Sequence, residues 1–62
     1  MKLQELLRIL FLEKPFTIVR GHEEEAIFPE NIAEWLAQTT KLNEKVYHVE
    51  AVGDSFIITL QD

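Results

Sequence analysis

Cysteine is absent from the 62 residues of this chain, and glycine and proline occur only twice each. Without cysteine, neither a disulfide nor a thiolate-bound metal site can form. Two isolated glycines cannot build a phosphate-binding loop, which needs several glycines at fixed spacing before a helix. No apolar run approaches the roughly 18 residues that cross a bilayer, and Glu5 and Arg8 interrupt the apolar N-terminus that a signal peptide would need. We therefore expect a cytoplasmic protein with no membrane contact and no cofactor.

Basic residues are also scarce: six lysines and arginines are outnumbered by eleven aspartates and glutamates, and the net charge is −5. Residues 1–20 carry four basic and two acidic side chains, whereas residues 21–62 carry two basic and nine acidic ones. Proteins that bind phosphate backbones present a basic patch, so this balance argues against direct contact with nucleic acid. Apolar residues make up 47% of the chain, which is typical of a folded domain. The length predicts one small domain, residues 1–62.

Residues 46–61 can be paired as a β-hairpin around Gly53-Asp54, a two-residue loop whose first position is glycine, as a type II′ turn requires. This register gives a largely apolar face that pairs Ala51 with Phe56, Val49 with Ile58, and Tyr47 with Leu60. The other face is mixed and pairs Val52 with Ser55, Glu50 with Ile57, His48 with Thr59, and Val46 with Gln61. Such alternation predicts an antiparallel pair with one buried face.

β-Branched and aromatic residues on both sides of a polar, glycine-containing segment predict a second hairpin between residues 16 and 28. A three-residue loop, residues 21–23, pairs Phe16 with Phe28, Ile18 with Ala26, and Arg20 with Glu24. We favour this register because its apolar face ends in an ion pair. A one-residue slip is the alternative, because Gly21 comes early for a three-residue loop, whose left-handed position is usually the last.

Two amphipathic helices are predicted beside the hairpins. The first has a leucine stripe at i, i+3, i+4 and i+7, formed by Leu3, Leu6, Leu7 and Leu10. It should end near Leu12 or Glu13, because Pro15 disfavours helical geometry at the residue before it. The second begins with Asn31 and Glu34, which have the spacing of a capping box. Its apolar face, formed by Ile32, Trp35 and Leu36, makes Trp35 a core residue rather than a binding anchor.

The element order is therefore helix, hairpin, helix, hairpin, or αββαββ. It predicts an α+β fold in which two helices pack on one face of a mainly antiparallel four-stranded sheet. The strand order between the two hairpins stays open. In the predicted registers, the other face of the sheet contains Thr17, Val19, Ile27, Val46, Val52 and Ile57. A solvated sheet face should be more consistently polar, so these six residues form the candidate interaction surface.

Groups with catalytic or metal-binding chemistry are few. His22 lies beside Glu23, Glu24 and Glu25, but the tip of a hairpin gives a metal no rigid surroundings, so we interpret this segment as a solvated turn. His48 and Glu50 share a strand face, yet no serine, cysteine or lysine lies next to them as a nucleophile. Ser55 follows a turn and is expected to make a local hydrogen bond. We predict neither catalytic nor metal-ligating residues.

A resemblance that spans most of the chain implies a biological origin for the protein. The order of a Met1-Lys-Leu-x-Glu-Leu-Leu7 helix, an extended pair, a short helix and a closing strand such as Phe56-Ile-Ile-Thr-Leu60 resembles small proteins encoded by phages and prophages of Gram-positive bacteria. The resemblance implies the cytoplasm of a bacterial host. Such families mostly have no assigned activity, and no functional residue is carried over from them.

The functional prediction is a small, acidic, non-enzymatic module for protein–protein interaction or assembly. Self-association into a homo-oligomer, in the simplest case a dimer, would bury the same patch twice, and an unidentified protein is the other candidate partner. The alternative is a nucleic-acid-mimicking decoy or inhibitor that binds a basic protein. Its acidic surface would consist of Glu23, Glu24, Glu25, Glu30, Glu34 and Glu50.

Overall fold

The computed structural model describes residues 1–10 and 14–61. Its elements are α1 (Leu3–Ile9), β1 (Phe16–Arg20), β2 (Glu23–Ile27), a 3-10 helix (Pro29–Asn31), α2 (Ile32–Gln38), β3 (Val46–Val52) and β4 (Ser55–Leu60). The α+β class is confirmed, with the 3-10 helix as an addition to the predicted order. The first helix ends at Ile9 and Leu10 already has extended backbone angles, so its predicted end near Leu12 or Glu13, positions outside the described residues, is wrong. No helix in the described ranges combines the length and the hydropathy needed to cross a bilayer.

The sheet has the strand order β2-β1-β4-β3. Each hairpin is an antiparallel pair, and a parallel pairing of β1 with β4 joins the two hairpins at the centre of the sheet. Phe16 lies opposite Phe56, and Ile18 lies opposite Ile58. The two apolar rows that the hairpins carry separately therefore become one continuous apolar face.

The first hairpin has a two-residue loop, so the predicted three-residue loop is wrong and the alternative, a slip by one residue, is correct. Phe16 pairs with Ile27 instead of Phe28. Ile27 is 3% exposed, whereas Phe28 is 46% exposed. The reason is Gly21, whose φ is 61°, followed by a residue without positive φ. These are the φ signs of a type II′ loop, which requires glycine at its first position.

The second hairpin has the predicted two-residue loop and the predicted register from Val52 to His48. A β-bulge at Tyr47 then changes the register, so that Val46 instead of Tyr47 lies opposite Leu60. Val46 packs against the core, while Tyr47 is 72% exposed. The predicted pairs of Tyr47 with Leu60 and of Val46 with Gln61 are wrong. A valine can be buried without cost, whereas a buried phenol needs a hydrogen-bond partner.

The loop of this second hairpin gives a direct stability prediction. Gly53 has a φ of 59°. A Cβ added there would meet nothing within 4 Å, so Gly53→Ala is penalised only through the backbone. We expect the free energy of unfolding to fall by about 1–2 kcal/mol, measured by urea denaturation. A synthetic chain with D-alanine at this position, which adopts positive φ without strain, should retain wild-type stability. Equal losses for both chains would contradict the positive φ.

The core lies between the helices and one face of the sheet. Its buried side chains are Leu3, Leu6, Leu7, Phe16, Ile18, Ile27, Ile58 and Leu60. Partly buried side chains that pack against it are Leu10, Ile32, Trp35, Leu42, Val46, Val49 and Phe56. The indole of Trp35 meets the ring of Phe16 edge to face, with centroids 5.5 Å apart and planes at 78°. Both helices therefore cover the same face, as predicted.

The helix starts differ from the sequence prediction. Asn31 is the N-cap of α2, but its side chain makes no capping hydrogen bond. Its backbone N–H donates instead to the carbonyl of Phe28 at 2.9 Å, because the preceding 3-10 helix already fixes this turn. At the start of α1, the carboxylate of Glu5 accepts a hydrogen bond from the backbone N–H of Lys2 at 2.9 Å. This back-reaching bond is the half of a capping box that the sequence prediction assigned to the other helix.

Candidate interaction surface

The face of the sheet opposite the helices, called the open face below, is formed by alternate residues of all four strands. One row crosses the strands as Ala26, Thr17, Ile57 and Glu50. The next row is Glu24, Val19, Thr59 and His48. A third, shorter row pairs Ser55 with Val52. No helix or strand of the described chain covers this face, because both helices pack on the opposite side.

The structure places four of the six predicted surface residues on the open face: Thr17, Val19, Val52 and Ile57. The other two are corrections. Ile27 lies opposite Phe16 in the core because the one-residue slip turns every side chain of β2 to the other face. Val46 packs against the core because of the bulge at Tyr47.

The open face has an apolar and hydroxyl-bearing centre with charges at its edges. Thr17, Val19, Ile57 and Thr59 are partly exposed on the two central strands. Glu24 lies on one edge strand, and His48 and Glu50 lie on the other, all three exposed. A weakly polar centre inside a charged rim is the usual anatomy of a protein–protein interface.

The bulge adds Tyr47 to this surface, which the sequence prediction missed. Its side chain lines an open groove of about 530 Å³ together with Val19, Gly21, Thr59, Leu60 and Gln61. Among residues 1–10 and 14–61, the side chains that line the groove are all uncharged, which suits apolar and neutral hydrogen-bonding groups. Exposed tyrosines at such positions are frequent anchors in interfaces. The only signal in the sequence for this exposure was the phenol of Tyr47 within an otherwise apolar row.

The acidic side of the molecule lies on β2, at the opposite edge of the sheet from Tyr47. Glu23 and Glu25 turn toward the helix side, where the ammonium of Lys41 lies 3.9 Å and 3.6 Å from their carboxylates. The indole N–H of Trp35 donates a hydrogen bond of 3.2 Å to Glu25. These two glutamates therefore have protein partners, and Glu24 is the glutamate of β2 that lies on the open face.

Neither histidine is part of a recognisable reactive group. Among residues 1–10 and 14–61 there is no cluster of three histidines or carboxylates that could hold a metal ion. The hydroxyl of Ser55 donates to the carbonyl of Val52 at 3.1 Å, which confirms the predicted local hydrogen bond. His48 has Thr59 as its cross-strand neighbour, and its side chain makes no hydrogen bond within the part of the chain that is described.

No protein family, no curated protein and no solved structure matches the chain. The resemblance to phage-encoded proteins, and the bacterial cytoplasm that it implies, therefore stay predictions.

Proposed function

We propose that the protein is a non-enzymatic module for protein–protein interaction and assembly, and that it self-associates with the open face as a contact surface. The observation that carries this proposal is an uncovered sheet face with Val19 and Ile57 at its centre and charges only at its rim. In a small monomeric domain, a two-layer fold normally leaves a polar sheet face toward water.

The size of the open face supports weak rather than tight association. Its central strand β1 is five residues long, and the sheet has four strands. With strands about 4.8 Å apart and a rise of about 3.4 Å per residue, the flat area is roughly 300 Å². Stable interfaces bury about 800 Å² per partner, so one open face against another should give a dissociation constant in the micromolar range or weaker.

The surface chemistry supports binding rather than catalysis. The open face carries His48, Glu24 and Glu50 as groups that could accept a proton, but Thr59, the cross-strand neighbour of His48, is a weak nucleophile. A threonine hydroxyl needs a base that is itself held in place by a third group. The hydrogen bonds of the described residues provide no such third group.

The decoy hypothesis ranks second. Its supporting observation is β2, in which Glu23, Glu24 and Glu25 follow one another. However, the single positive charge of Lys41 lies beside both Glu23 and Glu25 and offsets one of these three negative charges. Glu50 lies on the opposite edge strand, about 14 Å away at ordinary strand spacing. A decoy would bind a basic protein with strong salt dependence.

Self-association through the open face is tested by two matched substitutions. We expect wild-type mass to rise above the monomer in sedimentation equilibrium between about 10 μM and 1 mM. Ile57→Lys, which puts a charge at the centre of the open face, should lower the average mass at every concentration. Ile9→Lys, on the exposed side of α1 where Ile9 is 66% exposed, should leave it unchanged. A wild-type protein that stays monomeric, or equal effects of the two variants, would overturn the proposal.

A further inference from the structure

The two edges of the sheet differ in how they are protected. On β2, three consecutive glutamates line one edge, and pairing this strand with its own copy would bring like charges together. On β3, residues 46–52 contain no proline and no lysine, and Glu50 is the only acid. Charged residues, proline and β-bulges are the usual protection of an edge strand; the bulge of β3 lies near its beginning, at Tyr47, so the rest of β3 is the less protected edge.

The N-terminus covers only the beginning of β3. The backbone N–H of Leu3 donates to Glu44 at 2.9 Å, and the N–H of Val46 donates to the carbonyl of Met1 at 2.8 Å. Lys2 forms a bridge with Lys45 between these two bonds. The chain therefore protects residues 44–46, and within the described ranges nothing pairs with the outer edge of residues 47–52.

The register of the hairpin shows which backbone groups face outward. In a two-residue hairpin the residues that flank the loop, here Val52 and Ser55, exchange hydrogen bonds. Alternation along β3 then makes Glu50 and His48 bond to β4. The N–H and C=O groups of Val49 and Ala51 consequently point away from the sheet.

We infer that β3 pairs with β3 of a second copy, antiparallel and centred on Val49, so that two sheets continue as one. This inference rests on the self-association in the proposed function. In this register, Val49 exchanges backbone hydrogen bonds with Val49 of the second copy. His48 lies opposite Glu50 of the second copy, and Glu50 opposite its His48, which gives two complementary pairs.

Charge selects this register over its neighbours. Centring the pair on Glu50 would place two carboxylates directly opposite each other, about 5 Å apart. Centring it on Ala51 would set Glu50 opposite the apolar Val52, and the position opposite His48 would be Asp54, which lies in the loop beyond the end of β3. The N-terminus sets the limit in the other direction, because Met1 occupies the position beside Val46 and restricts the pairing to residues 47–51.

Edge pairing also compensates for the small area of the open face. Two open faces side by side give a continuous surface of roughly 600 Å², twice that of one copy. This approaches the area per partner of a stable interface, so edge-paired dimers can stack through their joined faces where single copies cannot. The assembly then uses both surfaces, the β3 edge within a dimer and the open face between dimers.

Amide hydrogen exchange followed by NMR tests the edge directly. In a monomer the Val49 N–H points to solvent and should exchange rapidly. Raising the protein concentration from about 10 μM to 1 mM should slow its exchange at least tenfold, in step with the mass. The outward N–H of Ala26 on β2 should not change. Protection at Val49 without a rise in mass cannot come from a second copy and would overturn the inference.

Two further outcomes separate the inference from the proposed function. If the mass rises while the Val49 N–H exchanges at an unchanged rate, the open face associates without the edge, and only the inference fails. If wild-type protein stays monomeric and the Val49 N–H becomes protected only when another protein is added, the edge belongs to that protein. In that case both self-association and the inference fail.

A matched pair of alanine substitutions isolates the outer hydrogen bonds. Ala51→Pro on β3 and Ala26→Pro on β2 each remove an outward N–H at an exposed position, so neither breaks a bond within the sheet. Ala51→Pro should raise the concentration needed for half-association about tenfold or more, and Ala26→Pro should leave it unchanged. Folding of both variants is checked by the fluorescence of Trp35. Equal association of both folded variants would overturn the inference.

Exchanging the charges tests the register. His48→Glu makes both cross-strand pairs repulsive and should weaken association about tenfold. The double variant His48→Glu, Glu50→His restores both pairs with opposite polarity and should recover wild-type association. A double variant that associates no better than the single one would overturn the register centred on Val49.

Discussion

Phe16→Ala is expected to leave the chain largely unfolded at 25 °C. Phe16 is 2% exposed at the start of β1 and lies between Ile27 on β2 and Phe56 on β4. Its ring also supports Trp35 of α2 through the edge-to-face contact at 5.5 Å. Truncation of a buried phenylalanine costs about 3–5 kcal/mol. A domain of 62 residues has a total stability of roughly 3–9 kcal/mol, so the loss is comparable to the whole.

Urea denaturation followed by the fluorescence of Trp35, the single tryptophan, measures this loss. Phe28→Ala is the matched control, because Phe28 is 46% exposed just beyond β2. We expect it to cost less than about 1 kcal/mol. The comparison also tests the register of the first hairpin. With a three-residue loop Phe28 would lie opposite Phe16 in the core, and the two variants would lose similar amounts of stability.

The first hairpin shows why a local ion pair is a poor guide to register. The prediction of a three-residue loop rests on the ion pair of Arg20 with Glu24. In the structure the guanidinium of Arg20 instead lies 3.0 Å from the carboxylate of Glu44. Exposed ion pairs contribute little, about 0–1 kcal/mol, and flexible side chains find other partners. The positive φ of Gly21 is the stronger constraint, and Gly53 already shows the same pattern in the second hairpin.

The second hairpin could be predicted as far as its local signals extend. The glycine-first loop and the alternation of apolar residues fix the pairs from Val52 to His48. The bulge at Tyr47 has no such local signal, because it depends on segments distant in sequence. Gln61 donates its N–H to Lys45 at 2.9 Å, and Met1 accepts the N–H of Val46. These contacts hold residues 45–46 in place, and the extra residue is accommodated between Val46 and His48.

The strand order could not be predicted from either hairpin alone. Each hairpin fixes its own pairing through a short loop, but the parallel contact of β1 with β4 joins residues about 40 positions apart. The composition of the open face follows from the pairing within each hairpin and from the pairing between the two hairpins. The predicted surface is correct where the register of the hairpin is predicted correctly, as at Ile57 and Val52. It is wrong at Ile27, because a slip by one residue exchanges the two faces of a strand.

Two adjacent isoleucines of β4 test the division between core and open face. Ile58 is fully buried between Ile18 and Val49, whereas Ile57 is partly exposed on the open face. We expect Ile58→Ala to reduce the free energy of unfolding by about 2–4 kcal/mol, because it leaves a cavity in the central strand. Ile57→Ala should cost less than about 1 kcal/mol, because water already reaches this side chain.

The effects of the same two variants on association should have the opposite order, with the larger effect at Ile57. At concentrations where the wild-type mass exceeds the monomer, Ile57→Ala should lower the mass, because it removes apolar area from the contact surface. Ile58→Ala should leave the association of its folded fraction unchanged, since its side chain faces α1 and α2 rather than a second copy. Denaturation and sedimentation on the same samples measure both quantities. If Ile57→Ala lost as much stability as Ile58→Ala and also lost association, Ile57 would belong to the core. The open face would then have no apolar centre for a partner to contact.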